Sequence, residues 1–123
     1  MGGEPGVEPR PTDDVRAVQA EQALRSSADV PFWADRFALL GDVNRLRIVM
    51  ALHRAPGMTV GGIADAVGMS HNAVSHALAA LRVTGVLSVD RDGRYRRWSV
   101  CDPTIHEILH QVGATHSSLH PEH

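Results

Sequence analysis

A chain of 123 residues with 43% hydrophobic content can bury one core, so we expect a single compact domain, small for an enzyme. The lone Cys101 excludes an internal disulfide and a multi-thiolate metal site, and an aromatic content of 4% disfavours a stacking platform for single-stranded nucleic acid. The sequence has no signal-peptide pattern and no apolar run of membrane-spanning length, so we expect a cytoplasmic protein without membrane contact.

The net charge of -2 hides an uneven distribution of charges. Residues 42–100 contain eight Arg and four acidic residues, whereas the segments on both sides are acidic. All twelve basic residues are Arg, which is compatible with a coding bias and also suits bidentate contacts to phosphate and guanine. The middle of the chain is therefore the segment to examine for nucleic-acid binding.

Helix-start and helix-stop residues divide the N-terminal half. Residues 1–11 are rich in Gly and Pro and are expected to form a disordered tail. Thr12 then begins a short amphipathic helix, and Pro31 opens an apolar helix that we expect to form core and dimer contacts. Asn44 is the expected cap of a third helix, which Pro56 and Gly57 terminate.

The next segment predicts two helices joined by a tight turn. Thr59 caps a short helix that ends at Gly68, and Ser70 caps a longer helix that closes at Gly85.

A hairpin and a last helix follow. Residues 86–89 and 95–100 alternate like strands around an Asp-Gly turn within residues 91–94, and Asp102 caps the last helix. The expected fold is mainly α with a small β-hairpin (α+β), a winged helix-turn-helix. The expected domain covers residues 12–112, and residues 113–123 form a His-containing C-terminal tail.

The two joined helices and the hairpin predict the residues that contact duplex DNA. A helix fits the major groove with its N-terminal side chains at base edges, and arginines on a hairpin reach the flanking phosphates or a minor groove. The predicted DNA-binding residues are Ser70, His71, Asn72, Ser75, His76, Arg82, Arg91, Arg94, Arg96 and Arg97.

Three stretches carry a family resemblance. Residues 39–48 (LLGDVNRLRI) resemble the pattern aLaDptRlrIL, residues 59–64 (TVGGIA) resemble sVgeLA, and residues 73–87 (AVSHALAALRVTGVL) resemble avSqHLkvLreaGLv. With the hairpin, the chain resembles the ArsR/SmtB family of metal-sensing repressors over residues 32–112. The resemblance implies a homodimer formed by the first and last helices, and release of DNA when an inducer binds. Ala79 stands where the family commonly has Lys, which removes one phosphate contact.

The C-terminal residues suggest what is sensed. On a helix that continued far enough, five side chains would share an arc of about 120°: Asp102, His106, His110, His116 and His120. Imidazoles with a carboxylate and no thiolate suit Zn(II), Ni(II) or Co(II). One subgroup of the resembled family uses a carboxylate and His ligands on the last helix across the dimer interface, but Thr104 occupies its first His position here. We assign His53 instead to the DNA-binding half.

These observations predict a repressor that releases an inverted-repeat operator when Ni, Co or Zn binds at the last helix. Three alternatives remain open: a repressor of the same fold that responds to a small molecule or to oxidation of Cys101, a winged-helix module for protein contacts, and a small metalloenzyme. The enzyme is disfavoured because no general base lies in a pocket-forming context. Cys101 is expected to be a small buried apolar residue.

Overall fold

The computed structural model describes residues 9–26 and 29–113. Within them, six helices and one hairpin follow in chain order: α1 (Asp13–Ser26), α2 (Val30–Leu40), α3 (Val43–Arg54), α4 (Val60–Val67), α5 (His71–Val83), β1 (Leu87–Asp92), β2 (Tyr95–Val100) and α6 (Pro103–Gln111). The predicted winged helix-turn-helix is confirmed. No helix in the described ranges is long and apolar enough to cross a membrane.

The chain divides into two compact units, residues 1–33 and 34–123. In the first unit, every residue of α1 is exposed, and the rings of Phe32 and Trp33 pack edge to face with centroids 5.4 Å apart.

The core of the second unit is built by α3, α4, α5, the hairpin and α6. Most of its fully buried side chains are aliphatic, and those on the helices recur at helical spacing: Ile48, Val49, Leu52, Ile63, Val74, Leu78, Leu81, Ile105 and Leu109. Phe32 and Phe37 of α2 are 42% and 54% exposed, so they do not belong to the core of the single chain, and the expected dimer contact of this helix remains a prediction. Arg36 and Leu40, one helical turn apart, are the buried residues of α2 instead.

Local hydrogen bonds explain where the helices begin. The side chains of Thr59 and Ser70 accept hydrogen bonds from backbone N–H groups three residues later, as predicted. The predicted cap of α3 is wrong: Asp42 accepts from the N–H of Arg45 at 2.9 Å, and Asn44 lies inside the first turn. Asp and Asn are both favourable cap residues, but Asp42 has the extended backbone that a cap requires, whereas Asn44 is helical.

The hairpin is longer than predicted. Leu87 pairs with Val100 and the register continues to Asp92 opposite Tyr95, so residues 91 and 92 belong to a strand and the turn is reduced to residues 93–94. Gly93 adopts φ +63°, which glycine takes without strain. The backbone N–H of Trp98 donates to the Met58 carbonyl at 2.9 Å, which anchors β2 to the loop before α4.

The last helix is shorter than the predicted metal-binding face requires. It ends at Gln111, and Gly113 has φ +97°. The face therefore contains Asp102, His106 and His110, while His116 and His120 lie outside the described residues.

Candidate DNA interface and metal-binding helix

A left-handed glycine sets the angle between α4 and α5. Gly68 has φ +71° and ends α4, and Ser70 starts α5 two residues later. Helix α5 buries Val74, Ala77, Leu78 and Leu81. The opposite side, which includes all the predicted base-contacting residues, is exposed: His71, Asn72, Ser75 and His76.

The four predicted hairpin arginines do not form one group. Paired residues on antiparallel strands share a face, so Arg91 and Arg96 lie directly opposite each other on the same face as Val89 and Trp98. Arg82 of α5 lines a small cleft with them. Within the part of the chain that the structure describes, no ion pair involves any of these three arginines. The result is a cluster of three guanidinium groups without a carboxylate, hereafter the arginine cluster.

Arg97 lies on the other face and is engaged within the protein. Its Nε donates to Asp92 at 2.8 Å and its Nη1 to the carbonyl of Gly57 at 3.1 Å. Arg94 and Arg97 also lie 5.7 and 6.0 Å from the centre of the Tyr95 ring. Arg97 therefore braces the hairpin against the loop before α4.

Arg96 occupies the centre of the concave surface between α5 and the hairpin. It lines three clefts: one of about 700 Å³ shared with Ser75 and Arg82, one of about 400 Å³ shared with His71 and Arg94, and one of about 170 Å³ shared with Arg91. The exposed start of α5 and the hairpin thus meet at one cationic surface, whose charge suits a nucleic-acid backbone.

Three histidines come together where α3 packs against α6. His53, in the last turn of α3, is 1% exposed. Its ring centre lies 4.5 Å from that of His106 and 6.4 Å from that of His110, both of which are half-buried on α6. The assignment of His53 to the DNA-binding half is wrong, because the fold packs it against the predicted metal helix.

Asp102 has other partners. Its Oδ1 accepts from the N–H groups of Thr104 and Ile105 at 2.8 and 3.1 Å, which caps α6 as predicted. Its Oδ2 accepts from Nε of Arg36 at 3.2 Å, in an ion pair whose side chains are 9% and 12% exposed. Both oxygens of the predicted carboxylate ligand therefore already hold hydrogen bonds.

The described residues offer two candidate metal ligands on α6 and no complete metal site. His106 and His110 have the i, i+4 spacing that two imidazole ligands on one helix need. No group of three or more His, Cys, Asp or Glu within residues 9–26 and 29–113 is arranged to hold a metal ion. The pair fits two positions of such a site, and any other ligand has to come from another segment or another subunit.

Cys101 is exposed, so the expectation that it is buried is wrong. Its thiol donates to the carbonyl of Gly85 at 3.3 Å, because residue 101 continues β2 and lies opposite the segment between α5 and β1.

The sequence interpretation missed two residues near the predicted metal helix, Arg36 and His53. Each meets its partner across more than fifty residues of chain, so no local pattern links them. A charged residue on the buried stripe of a helix was the one available signal for Arg36, since such a residue has to be paired.

The sequence matches the family model described as "Bacterial regulatory protein, arsR family" over residues 42–89. It is 33% identical to the HTH-type transcriptional regulator NmtR of Mycobacterium tuberculosis over an alignment of 87 residues. The alignment covers 71% of this chain and 72% of NmtR. It is also 33% identical over 100 residues to the transcriptional repressor SmtB homolog of Synechocystis, and this alignment covers 81% of this chain and 74% of that protein.

Solved structures have the same fold. The homodimeric winged helix-turn-helix DNA-binding domain of a possible ArsR-family regulator from Mycobacterium bovis superposes with a TM-score of 0.62 at 22% identity, covering 83% of each chain. The cadmium metal-sensor CMTR of Mycobacterium tuberculosis superposes with a TM-score of 0.57 at 28% identity, covering 65% of this chain and 82% of that one.

Proposed function

Since the chain belongs to the ArsR/SmtB family of DNA-binding transcriptional regulators, we propose that it is a homodimeric repressor that releases its operator when Ni(II), Co(II) or Zn(II) binds at α6. The observation that supports DNA binding is the cationic surface where the exposed start of α5 meets the arginine cluster. The predicted contacts divide accordingly. Asn72, Ser75 and the two histidines of α5 face base edges, and the arginine cluster faces phosphates.

A symmetric dimer supports an inverted-repeat operator, because two copies of α5 must enter major grooves about 34 Å apart. Exposed apolar side chains favour dimerisation through the first and last helices: Val15, Val18 and Leu24 of α1, and Val112 after α6.

The metal half of the proposal rests on His106 and His110. His116 and His120 remain candidate ligands, in the same or the partner subunit, and Asp102 would first have to give up its present hydrogen bonds. A bound ion would supply a fixed link at α6 that favours one dimer geometry over the other. Imidazole donors without a thiolate favour Zn(II), Ni(II) or Co(II) over the softer Cd(II).

Fluorescence anisotropy of the protein on the DNA upstream of its own gene, titrated with each of the three metals at fixed salt, tests this function. We expect one metal to release the DNA near one equivalent per site. The double variant His106→Ala, His110→Ala should bind the DNA equally well and stay bound. Gln111→Ala on the same helix is the control and should respond like the wild type.

Other outcomes select the alternatives. Tight DNA binding that no metal changes would contradict the proposed metal response. Release of DNA by an oxidant, abolished by Cys101→Ser, would favour a thiol switch. Failure to bind DNA with the expected salt dependence would contradict the repressor and favour a protein-contact module.

A further inference from the structure

Arg36 lies where three segments of the second unit meet. It comes from the second half of α2 and is 7% exposed. On one side it forms the ion pair with Asp102, the residue that begins α6. On the other side, a Cβ atom added to Gly85, just after α5, would lie 3.0 Å from Nη2 of Arg36.

Two hydrogen bonds also join the segment after α5 to the residue before Asp102. The N–H of Cys101 donates to the carbonyl of Val86 at 3.0 Å, and the thiol of Cys101 donates to the carbonyl of Gly85. The segment before α6 is thus hydrogen-bonded to the segment after α5. The ion pair of Arg36 and Asp102 lies beside these hydrogen bonds. A displacement of the start of α6 must move either the end of α5 or this buried ion pair.

We propose that Asp102 is not a metal ligand, and that Arg36 and Asp102 are positioning residues that couple α6 to the DNA-contacting helix α5. Metal coordination by Asp102 would compete with its ion pair to Arg36, and weakening a buried ion pair is strongly unfavourable. The capping bonds to Thr104 and Ile105 would also be weakened, since they hold the same carboxylate. This inference rests on the proposed function for the metal response, and it assigns the described part of the metal site to imidazoles alone.

Two substitutions separate the positioning role from metal ligation. Asp102→Asn keeps a good helix cap and removes the charge, and Arg36→Met removes the other half of the pair while keeping a long side chain. Metal affinity is measured on the DNA-free protein from the visible absorption of Co(II), and operator affinity by anisotropy with and without metal. His106→Ala is the control for loss of a ligand.

We expect both variants to keep Co(II) affinity within about threefold of the wild type, whereas His106→Ala loses about tenfold or more. Both should reduce the factor by which metal weakens operator binding, which is typically about 5–150 in allosteric proteins, and the double variant should be no worse than the singles. Arg36→Lys, which keeps the charge, should restore part of that factor and serves as the test if Arg36→Met does not fold.

The proposal is overturned if Asp102→Asn loses Co(II) affinity like His106→Ala, because Asp102 is then a ligand. It is also overturned if both variants keep the full metal response. If the wild type binds its operator but no metal releases it, the proposed metal response fails separately. The positioning role then requires that both variants weaken metal-free operator binding by a similar, non-additive factor, and unchanged binding contradicts it.

Discussion

At the scale of single residues, the hairpin arginines differ in what holds them. Arg91 and Arg96 are like charges placed directly opposite each other, an arrangement that is unfavourable until an anion lies between or above them. Arg97 is already bonded to Asp92 and to the Gly57 carbonyl. The sequence places all of them on or beside one hairpin, but the alternation of strand faces decides which are available to DNA.

Arg96→Ala and Arg97→Ala should therefore have different effects. Arg96→Ala should weaken operator binding and reduce the slope of log K against log salt by about one, because one phosphate contact is lost. Arg97→Ala should leave that slope unchanged and lower the free energy of unfolding by about 1 kcal/mol or less. Salt-dependent anisotropy and urea unfolding measure the two effects. Equal salt slopes for the two variants would show that the hairpin faces are assigned wrongly.

At the scale of elements, the parts that the sequence predicts are those governed by neighbours in the chain. Thr59, Ser70 and Asp102 cap their helices as predicted, because a cap is decided within three residues. The extents of β1 and α6 were predicted less well. Strand pairing extends to residue 92, and α6 stops at residue 111 although its apolar spacing continues to Val112.

Contacts between distant elements were beyond local patterns. The ring contacts of His53 join α3 to α6, and Arg36 joins α2 to the start of α6. Neither contact follows from the sequence period of a helix or a strand, since both contacts depend on how distant elements pack. The sequence thus predicted the elements that carry the candidate DNA-contacting residues, while their contacts with DNA remain a prediction, and it missed what surrounds α6.

The packing of Gly85, at the junction between α5 and β1, can be tested with Gly61 of α4 as a contrasting substitution. Gly85→Ala should destabilise the protein by about 1–2 kcal/mol, because φ is +82° and the new methyl group would meet Arg36. Gly61→Ala should stabilise it by about 0.5–1 kcal/mol, because Gly61 is helical and its nearest neighbour, His71, would be 3.7 Å away. Urea unfolding gives both values. A Gly85→Ala variant as stable as the wild type would mean that Arg36 does not pack closely on this turn.

At the scale of the whole molecule, the proposed DNA and metal sites lie on different elements of the second unit. The arginine cluster and the exposed start of α5 form one, and His106 with His110 on α6 forms part of the other. Helix α3 packs against α4, α5 and α6, so it lies between them in the network of contacts. Two sets of contacts connect α6 with α5, one through His53 and α3 and one through Asp102 and Arg36, and the proposed coupling would use one or both.

Two sites that influence each other must do so reciprocally, since the coupling free energy belongs to the pair. If metal weakens operator binding by a given factor, operator must weaken metal binding by the same factor. Exposed charges alone would give a coupling that disappears with salt, whereas a coupling carried by buried contacts persists.

The affinity of the protein for Co(II), Ni(II) or Zn(II), measured with and without saturating operator DNA at fixed salt, tests the metal-responsive repressor most directly. The proposal predicts that operator lowers the affinity for the effective metal by the factor by which that metal lowers operator affinity. Equal metal affinities in the free and DNA-bound protein would contradict it.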